Sequence, residues 1–258
     1  MPLFTFGNVN TKFAIAGDPK QLDPVIVSSV LRYKSYNSKL STISRLNDHP
    51  EYEEFRKNKR NFVTLNTNYR SQTEICTLVS NIIYENKLIS SDPSDCNDFI
   101  GCEILKNKEI PIVFWDVNGA EKSVNTSFMN QEEIDQVFQT IENIFKLHEI
   151  YISQSDIGVV TPYKANVFGF KKRLEAVYPE ITVDSVERYQ GSERDVIIIS
   201  TVRTKKLGFL CDPKRLCTAI SRPRKLLVLI GCVPVLIKDP KWKELIEFLH
   251  KNNCIFSS

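Results

Sequence analysis

Glycine is scarce in this sequence: the 258 residues hold nine, at positions 7, 17, 101, 119, 158, 169, 191, 208 and 231. No two of them are five positions apart, which excludes the Gly-x-x-x-x-Gly-Lys-Ser/Thr loop that cradles phosphates in its backbone amides. Nowhere does glutamate directly follow aspartate, so the usual Asp-Glu pair that holds magnesium and activates water is missing as well. Long apolar runs are also lacking. The longest nearly apolar stretch, Leu226 to Ile237, has 12 residues and is interrupted by Gly231 and Pro234, whereas a membrane-crossing helix needs about 18 or more. Nine glycines and twelve prolines are too few for a collagenous or low-complexity segment. Met1 to Ala16 contains Lys12 and no continuous apolar stretch ahead of a small-residue cleavage site, so an intracellular chain is expected.

Cysteine is present without the spacing that would give it a joint role. Cys76, Cys96, Cys102, Cys211, Cys217, Cys232 and Cys254 are odd in number and never form C-x-x-C, and the three histidines are scattered. This speaks against a metal site or a disulfide framework and fits reduced thiols.

What remains is ordinary for a soluble protein, with 42% hydrophobic and 25% charged residues and enough chain for one or two domains. The net charge of +3 is small, but it is unevenly spread. Between Arg203 and Lys225 there are eight basic residues (Arg203, Lys205, Lys206, Lys214, Arg215, Arg222, Arg224 and Lys225) against one acid, Asp212, a local +7 that suggests a polyanionic partner.

Apolar runs bounded by turn residues alternate with helical patterns, the signature of an α/β fold with a parallel sheet flanked by helices. Phe13 to Ala16, Phe62 to Leu65, Ile112 to Trp115, Ile157 to Thr161, Val196 to Thr201 and Leu226 to Ile230 read as buried strands. Helical spacing links Ile75, Leu78, Val79, Ile82 and Ile83, and also Ile134, Val137, Phe138, Ile141, Ile144 and Phe145. Asn130 is placed to cap the second of these helices, with Glu132 and Glu133 in its first turn, where the helix dipole favours acids. Further helices are expected from about Ala165 to Val177, Pro213 to Ile220 and Lys241 to His250. Ile89 to Lys108 reads as a long surface excursion and Asn118 to Ser127 as a polar loop. The charged run Arg56 to Asn61 suggests a boundary that separates residues 1–62 from 63–258.

Four clusters carry chemistry. Gly17-Asp18-Pro19-Lys20-Gln21 follows a predicted strand, where an α/β sheet places ligand groups, and Gln21 offers an amide able to orient water or a phosphate oxygen. The same residues also make an ordinary strand-exit turn. Asn66-Thr67-Asn68-Tyr69-Arg70-Ser71 precedes a helix. Arg70 there could hold phosphate with two parallel bonds and Tyr69 could present a face to a purine, or Ser71 could simply cap the helix beside a surface arginine. Gln190-Gly191-Ser192-Glu193 stands before a strand, with an amide and a carboxylate suited to ribose hydroxyls. Asp212 to Lys225 is a short helix followed by the basic residues Arg222, Arg224 and Lys225 before the last strand, an arrangement that helix-dipole chemistry also favours.

In this order and spacing the four clusters resemble the later motifs of superfamily 1 RNA helicases, in the branch that includes the nonsense-mediated-decay helicases. The likeness covers nearly the whole chain. The Ile157-Gly158-Val159-Val160-Thr161-Pro162-Tyr163 block, the Arg222-Pro223 step and Lys238-Asp239-Pro240 look most like the Armitage-type helicases of small-RNA silencing. The resemblance implies a complete second RecA-like domain preceded by a remnant of the first. It implies that Gln21 senses the γ-phosphate, Tyr69 stacks on adenine, and Arg70 and Arg222 are arginine fingers. Asp18, Gln190 and Glu193 would then serve the nucleotide, with Glu193 on the ribose, while Thr161, Pro162, Tyr163, Ser185 and Val186 would lie against the RNA backbone. ATP with Mg2+ is implied for the complete helicase, single-stranded RNA and silencing proteins are the implied partners, and the implied location is cytoplasmic, including ribonucleoprotein granules. Ser221 and Pro223 flank Arg222 where many relatives carry Thr and Ala, which leaves the reach of Arg222 open. With neither the phosphate loop nor the Asp-Glu pair, two expectations stand: the C-terminal part of an ATP-dependent helicase that does not hydrolyse ATP alone, or a non-catalytic RNA- or partner-binding module that keeps the fold.

Overall fold

The computed structural model describes residues 8, 10–24, 41–50, 52–57 and 62–257. The chain divides into two compact units, 1–64 and 65–258. In the first, Ser41 caps helix α1 (Thr42–Asp48) by accepting from the Ser44 amide, and α2 (Tyr52–Lys57) follows with Glu53 and Glu54 in its first turn. Asp23 ties this unit together, because one carboxylate oxygen accepts from the Ser41 amide (2.8 Å) and the Ser44 hydroxyl (3.2 Å). The expected strand Phe13 to Ala16 does not form: its residues are irregular and exposed, and among the described residues of this unit no strand offers a partner for its amides.

In the second unit, β1 (Thr67–Asn68), α3 (Thr73–Ile83) and β2 (Ile89–Ser90) lead into β3 (Ile112–Asp116). A hairpin of β4 (Glu121–Val124) and β5 (Ser127–Asn130) precedes α4 (Gln131–Phe145), β6 (Ile157–Val160), α5 (Lys164–Leu174) and β7 (Thr182–Asp184). Then come β8 (Arg194–Ser200), α6 (Pro213–Ile220), β9 (Pro223–Gly231), α7 (Val233–Leu236), α8 (Pro240–Lys251) and β10 (Ile255–Ser257). The main sheet runs β10-β3-β9-β8-β6-β7 and is parallel throughout. Its central strands are near-continuous Ile, Val and Leu because both faces are covered. Val196 and Ile198 join the cluster under α4 and α5, with Ile134, Val137, Ile141, Phe170 and Leu174, while the alternate Ile197 and Ile199 are buried on the opposite face. The α/β architecture with a parallel sheet is therefore as expected.

Three local expectations are corrected. Phe62 to Leu65 is not a strand; Val63 and Leu65 are exposed, and only the following Thr67 and Asn68 pair, with Ile89 and Ser90. Ile89 to Lys108 is not a surface excursion, since Cys96, Phe99, Cys102 and Leu105 are buried; short local turns satisfy its backbone, and such a pattern has no helical or strand period to detect. Asn118 to Ser127 contains most of the β4–β5 hairpin, whose turn is made possible by Asn125 at φ 52°.

Candidate functional site

The segment between β1 and α3 is pinned from both sides. The Asn68 side chain accepts from the amides of Arg70 (2.8 Å) and Ser71 (2.9 Å), the Ser71 hydroxyl donates to the Pro223 carbonyl (2.8 Å), and the Gln72 amide donates to the Arg224 carbonyl (2.7 Å). Gln72, rather than Ser71, caps α3 through its side-chain oxygen. This stitching to the start of β9 brings Arg70 against the end of α6. Arg70 donates to the Glu193 carboxylate and to the Ser221 carbonyl (3.2 Å).

Arg222 lies beside it and is only 2% exposed. Its guanidinium donates to the Thr218 carbonyl (2.7 Å), the Ser192 carbonyl (3.4 Å) and the Ser221 hydroxyl (3.1 Å). Burial first, and the neighbouring Arg70 charge second, hold Arg222 below the usual arginine pKa. Three segments far apart in sequence thus bring the Arg70–Glu193 pair beside the Arg222 guanidinium at the amino ends of β8 and β9. Tyr69, 77% exposed, presents its ring to solvent next to this cluster, and Gln190 is exposed on the turn that leads to Glu193. Asp18 and Gln21 belong to the first unit, where the Gln21 side-chain amide donates to Asp18 (3.0 Å) and the Lys20 amide closes an Asx turn on it (2.9 Å).

The proposed RNA-facing residues sit at the other end of the sheet, past the carboxyl ends of β6 and β7. Thr161, Tyr163 and Val186 are buried, and only Pro162 and Ser185 are partly exposed. The Tyr163 hydroxyl accepts from Arg203 (3.2 Å) and the Phe209 amide (3.3 Å), so this tyrosine builds the surface from below. Arg203 packs over the Phe128 ring at 3.9 Å and holds Glu121 through two bonds of 3.0 and 3.3 Å. Burial alone would raise Glu121, but the bonds from Arg203 and the Thr204 and Lys205 amides hold it below the usual carboxylate range.

The +7 of residues 203–225 is largely cancelled in space. Besides Arg203, Arg215 pairs with Glu187 and Asp212, Arg224 with Asp95 and Asp195, and Lys225 with Asp98 and Asp195. Lys205 and Lys206 are the exposed cations left without an acid among the described residues.

A buried polar network under the same end of the sheet is missed by sequence reasoning. Asn130 caps α4 and Glu133 lies in its first turn as expected, but the Glu133 side chain is fully buried and accepts from the Ser200 hydroxyl (2.5 Å) and the Val202 amide (2.9 Å). Burial pushes Glu133 up to about 8, against the downward pull of these bonds and that of the Thr201 amide. Asn130 donates to the Val202 carbonyl (3.2 Å) and Asn166 to the Ser200 hydroxyl (3.0 Å). Together they hold Val202 at φ 71°, a conformation that a β-branched residue adopts only when its surroundings impose it.

Comparison with known proteins fits this arrangement. Residues 36–234 match the family described as AAA domain. Mouse "RNA helicase Mov10l1" is 33% identical over 98% of this chain and 23% of its own length. Fruit fly "Probable RNA helicase armi" is 28% identical over 99% and 24%, and the Neurospora crassa "Regulator of nonsense transcripts 1 homolog" is 30% identical over 93% and 22%. The chain thus spans about a quarter of the length of these relatives. The C-terminal domain of a possible DNA helicase from a Lactobacillus covers 73% of this chain, which covers 98% of that domain, at 14% identity and a TM-score of 0.44. By its motifs and its match to the AAA domain, the chain belongs to the superfamily 1 helicases, in the branch that holds the Armitage-type and nonsense-transcript relatives.

Proposed function

We propose that this chain supplies the second RecA-like domain, residues 63–258, of an ATP-dependent RNA helicase acting in RNA silencing or turnover, with residues 1–62 the end of the first. The observation that carries the reading is the meeting of Arg70, Glu193 and Arg222. Burial and the neighbouring Arg70 charge disfavour the charged form of Arg222, and an anion such as a polyphosphate at the same place relieves that cost. The donor set fits phosphoryl oxygens, and Tyr69 beside it fits a purine face.

In this reading Arg70 and Arg222 stabilise charge that develops on a transferring phosphoryl group, a role in which one arginine is worth about 10³–10⁵ in rate. Glu193 orients Arg70 and accepts a ribose hydroxyl when the arginine turns to phosphate. Arg222 must leave the Thr218 and Ser192 carbonyls to reach a ligand, so its engagement is tied to movement at the end of α6. Gln21 keeps in this reading the γ-phosphate-sensing role that the family resemblance implies. Magnesium bound with ATP would neutralise charge on the phosphate oxygens; among the described residues no group of three or more His, Cys, Asp and Glu side chains assembles that could hold the ion. RNA would run over the carboxyl ends of β6 and β7, near Pro162, Ser185, Lys205 and Lys206, held through its backbone.

The test is a chimera in which residues 65–258 replace the matching segment of mouse RNA helicase Mov10l1. RNA-stimulated ATP hydrolysis by the chimera is expected. A folded chimera that binds ATP and RNA but never hydrolyses would refute the reading and favour a binding module.

A further inference from the structure

A groove of about 910 Å³ runs between the turn of the β4–β5 hairpin and α5, beginning beside the carboxyl end of β6 and away from the nucleotide cluster. That is near the top of the range of about 300–1,000 Å³ for sites that enclose a ligand. Its floor is hydrocarbon, from Met129, Ile134 and Val124, and Phe168 stands 71% exposed on its wall. Its depth depends on Gly169, where an added Cβ would lie 2.7 Å from the Ile134 side chain. The rim is basic. Lys164 and Lys172 are exposed there and form no ion pair with any described residue, and no acid lines the groove.

The helix itself adds a second observation. The first turn of α5 carries Lys164 and no acid, and Tyr163 at its N-cap supplies no side-chain bond. A lysine at the positive end of a helix is disfavoured unless negative charge comes from elsewhere. In α5, Lys164, Lys171, Lys172 and Arg173 face no acid of the same helix, whereas the basic residues of 203–225 are mostly paired. Eight residues of helix separate Lys164 from Lys172 by about 12 Å.

From these features we propose that the groove docks an acidic amphipathic helix from a partner protein. Its apolar side chains at i, i+3, i+4 and i+7 fill the space over Met129, Ile134 and Gly169. Carboxylates seven or eight residues apart on its flanks meet Lys164 and Lys172. Helix-in-groove recognition uses this anchor spacing, and the unbranched Met129 can repack around different anchors. Single-stranded RNA fits less well, because phosphates would engage only the lysines of the rim, while the space between them has an aliphatic floor and one exposed ring that suit apolar side chains. This proposal stands apart from the reading of the nucleotide cluster, which lies at the amino ends of β8 and β9.

The test uses the purified chain and a fluorescein-labelled helical peptide of about four turns, with leucines at i, i+3, i+4 and i+7 and glutamates flanking them, read by fluorescence anisotropy. Binding is expected to exceed that of a scrambled peptide of equal composition and to fall about tenfold or more in the Lys164→Glu/Lys172→Glu chain. Both sites are exposed, so the variant folds, and a melting temperature equal to that of the parent checks this. A peptide with lysines in place of the glutamates is expected to bind the charge-reversed chain, and Phe168→Ala to weaken the acidic peptide without changing stability. Scrambled peptide binding equally well, charge reversal without effect, or no measurable binding would overturn the proposal. So would oligouridine that binds through Lys164 and Lys172 and displaces the peptide, which would make the groove an RNA site.

Discussion

Glu133→Gln isolates what a buried carboxyl does to the stability of the sheet. Glu133 is fully buried, and its pKa is pushed from the usual 4.5 up to about 8. Unfolding returns it to water and to its usual value, so between those two pH values the unfolded chain releases a proton that the folded chain keeps. The folded state binds more protons over this interval, and stability falls as pH rises. The contribution of Glu133 is thus fully present below about pH 4.5 and lost as pH rises through about 8. At about 1.36 kcal/mol per pKa unit the loss has a ceiling on the order of 5 kcal/mol. Glutamine has nearly the same shape, can accept from the Val202 amide, and does not titrate. The difference in melting temperature between Glu133→Gln and the parent is therefore expected to move in favour of the variant from pH 5 to pH 8. For a domain of this size one kcal/mol is about 2–4 °C, so the full effect is on the order of 10 °C. Thermal unfolding of both proteins across this range, followed by circular dichroism, reads the shift. A difference that stays flat with pH would mean that Glu133 is ionised in the fold, with the Ser200 and Val202 donors outweighing burial, and would refute the reasoning.

Arg203→Ala leaves Glu121 buried without its countercharge and is expected to cost about 3–5 kcal/mol, with Arg203→Met/Glu121→Gln milder than the single change; urea denaturation midpoints compare them, and a single variant as stable as the parent contradicts the buried pair. Gly158→Ala places a Cβ 2.1 Å from the Tyr189 hydroxyl in a central strand and should lower stability by about 1–3 kcal/mol or more, measured the same way, with an unchanged midpoint as the contrary result. Cys211 is the exposed thiol while the other six are buried, so a thiol reagent should modify one cysteine quickly in the folded protein and seven on denaturation; several fast thiols would contradict the packing. Binding of the chain to oligouridine should be weak and fall steeply with salt, as contacts to the phosphate backbone require, and Lys205→Ala/Lys206→Ala should reduce both affinity and salt slope; affinity constant across salt would contradict it.

How much of this was legible depended on whether the signal was local. Pro213 to Ile220 was read with its exact ends because Asp212 caps it and Pro213 fills its first turn. The apolar runs Ile112 to Trp115, Ile157 to Thr161, Val196 to Thr201 and Leu226 to Ile230 mark the strands found at 112–116, 157–160, 194–200 and 223–231. Phe13 to Ala16 and Phe62 to Leu65 are also short, mostly apolar runs, but a strand requires a neighbour, and composition does not report one. Charge failed for a related reason. The acids that neutralise Arg224 and Lys225 are Asp95, Asp98 and Asp195, the first two more than a hundred residues away, so the linear count of +7 overstated the field. The first-turn position of Glu133 is legible in the sequence, but its burial is not, because its partners Ser200 and Val202 are distant in sequence. The cluster of Arg70, Glu193 and Arg222 was legible as separate motifs, whereas the contact between Arg70 and Glu193 came from the stitching of Ser71 and Gln72 to β9. A sequence cue for that stitching would have been Asn68, whose Asx turn aims the segment.

The most direct test of the nucleotide cluster is the rate of RNA-stimulated ATP hydrolysis by the Mov10l1 chimera carrying Arg222→Ala, measured beside ATP affinity in the same protein. A loss of about a thousandfold in rate with affinity changed little is expected of a group that acts on the transition state. Hydrolysis at the rate of the unsubstituted chimera would contradict the role given to Arg222, and with it the reading of Arg70, Glu193 and Arg222 as half of a nucleotide site.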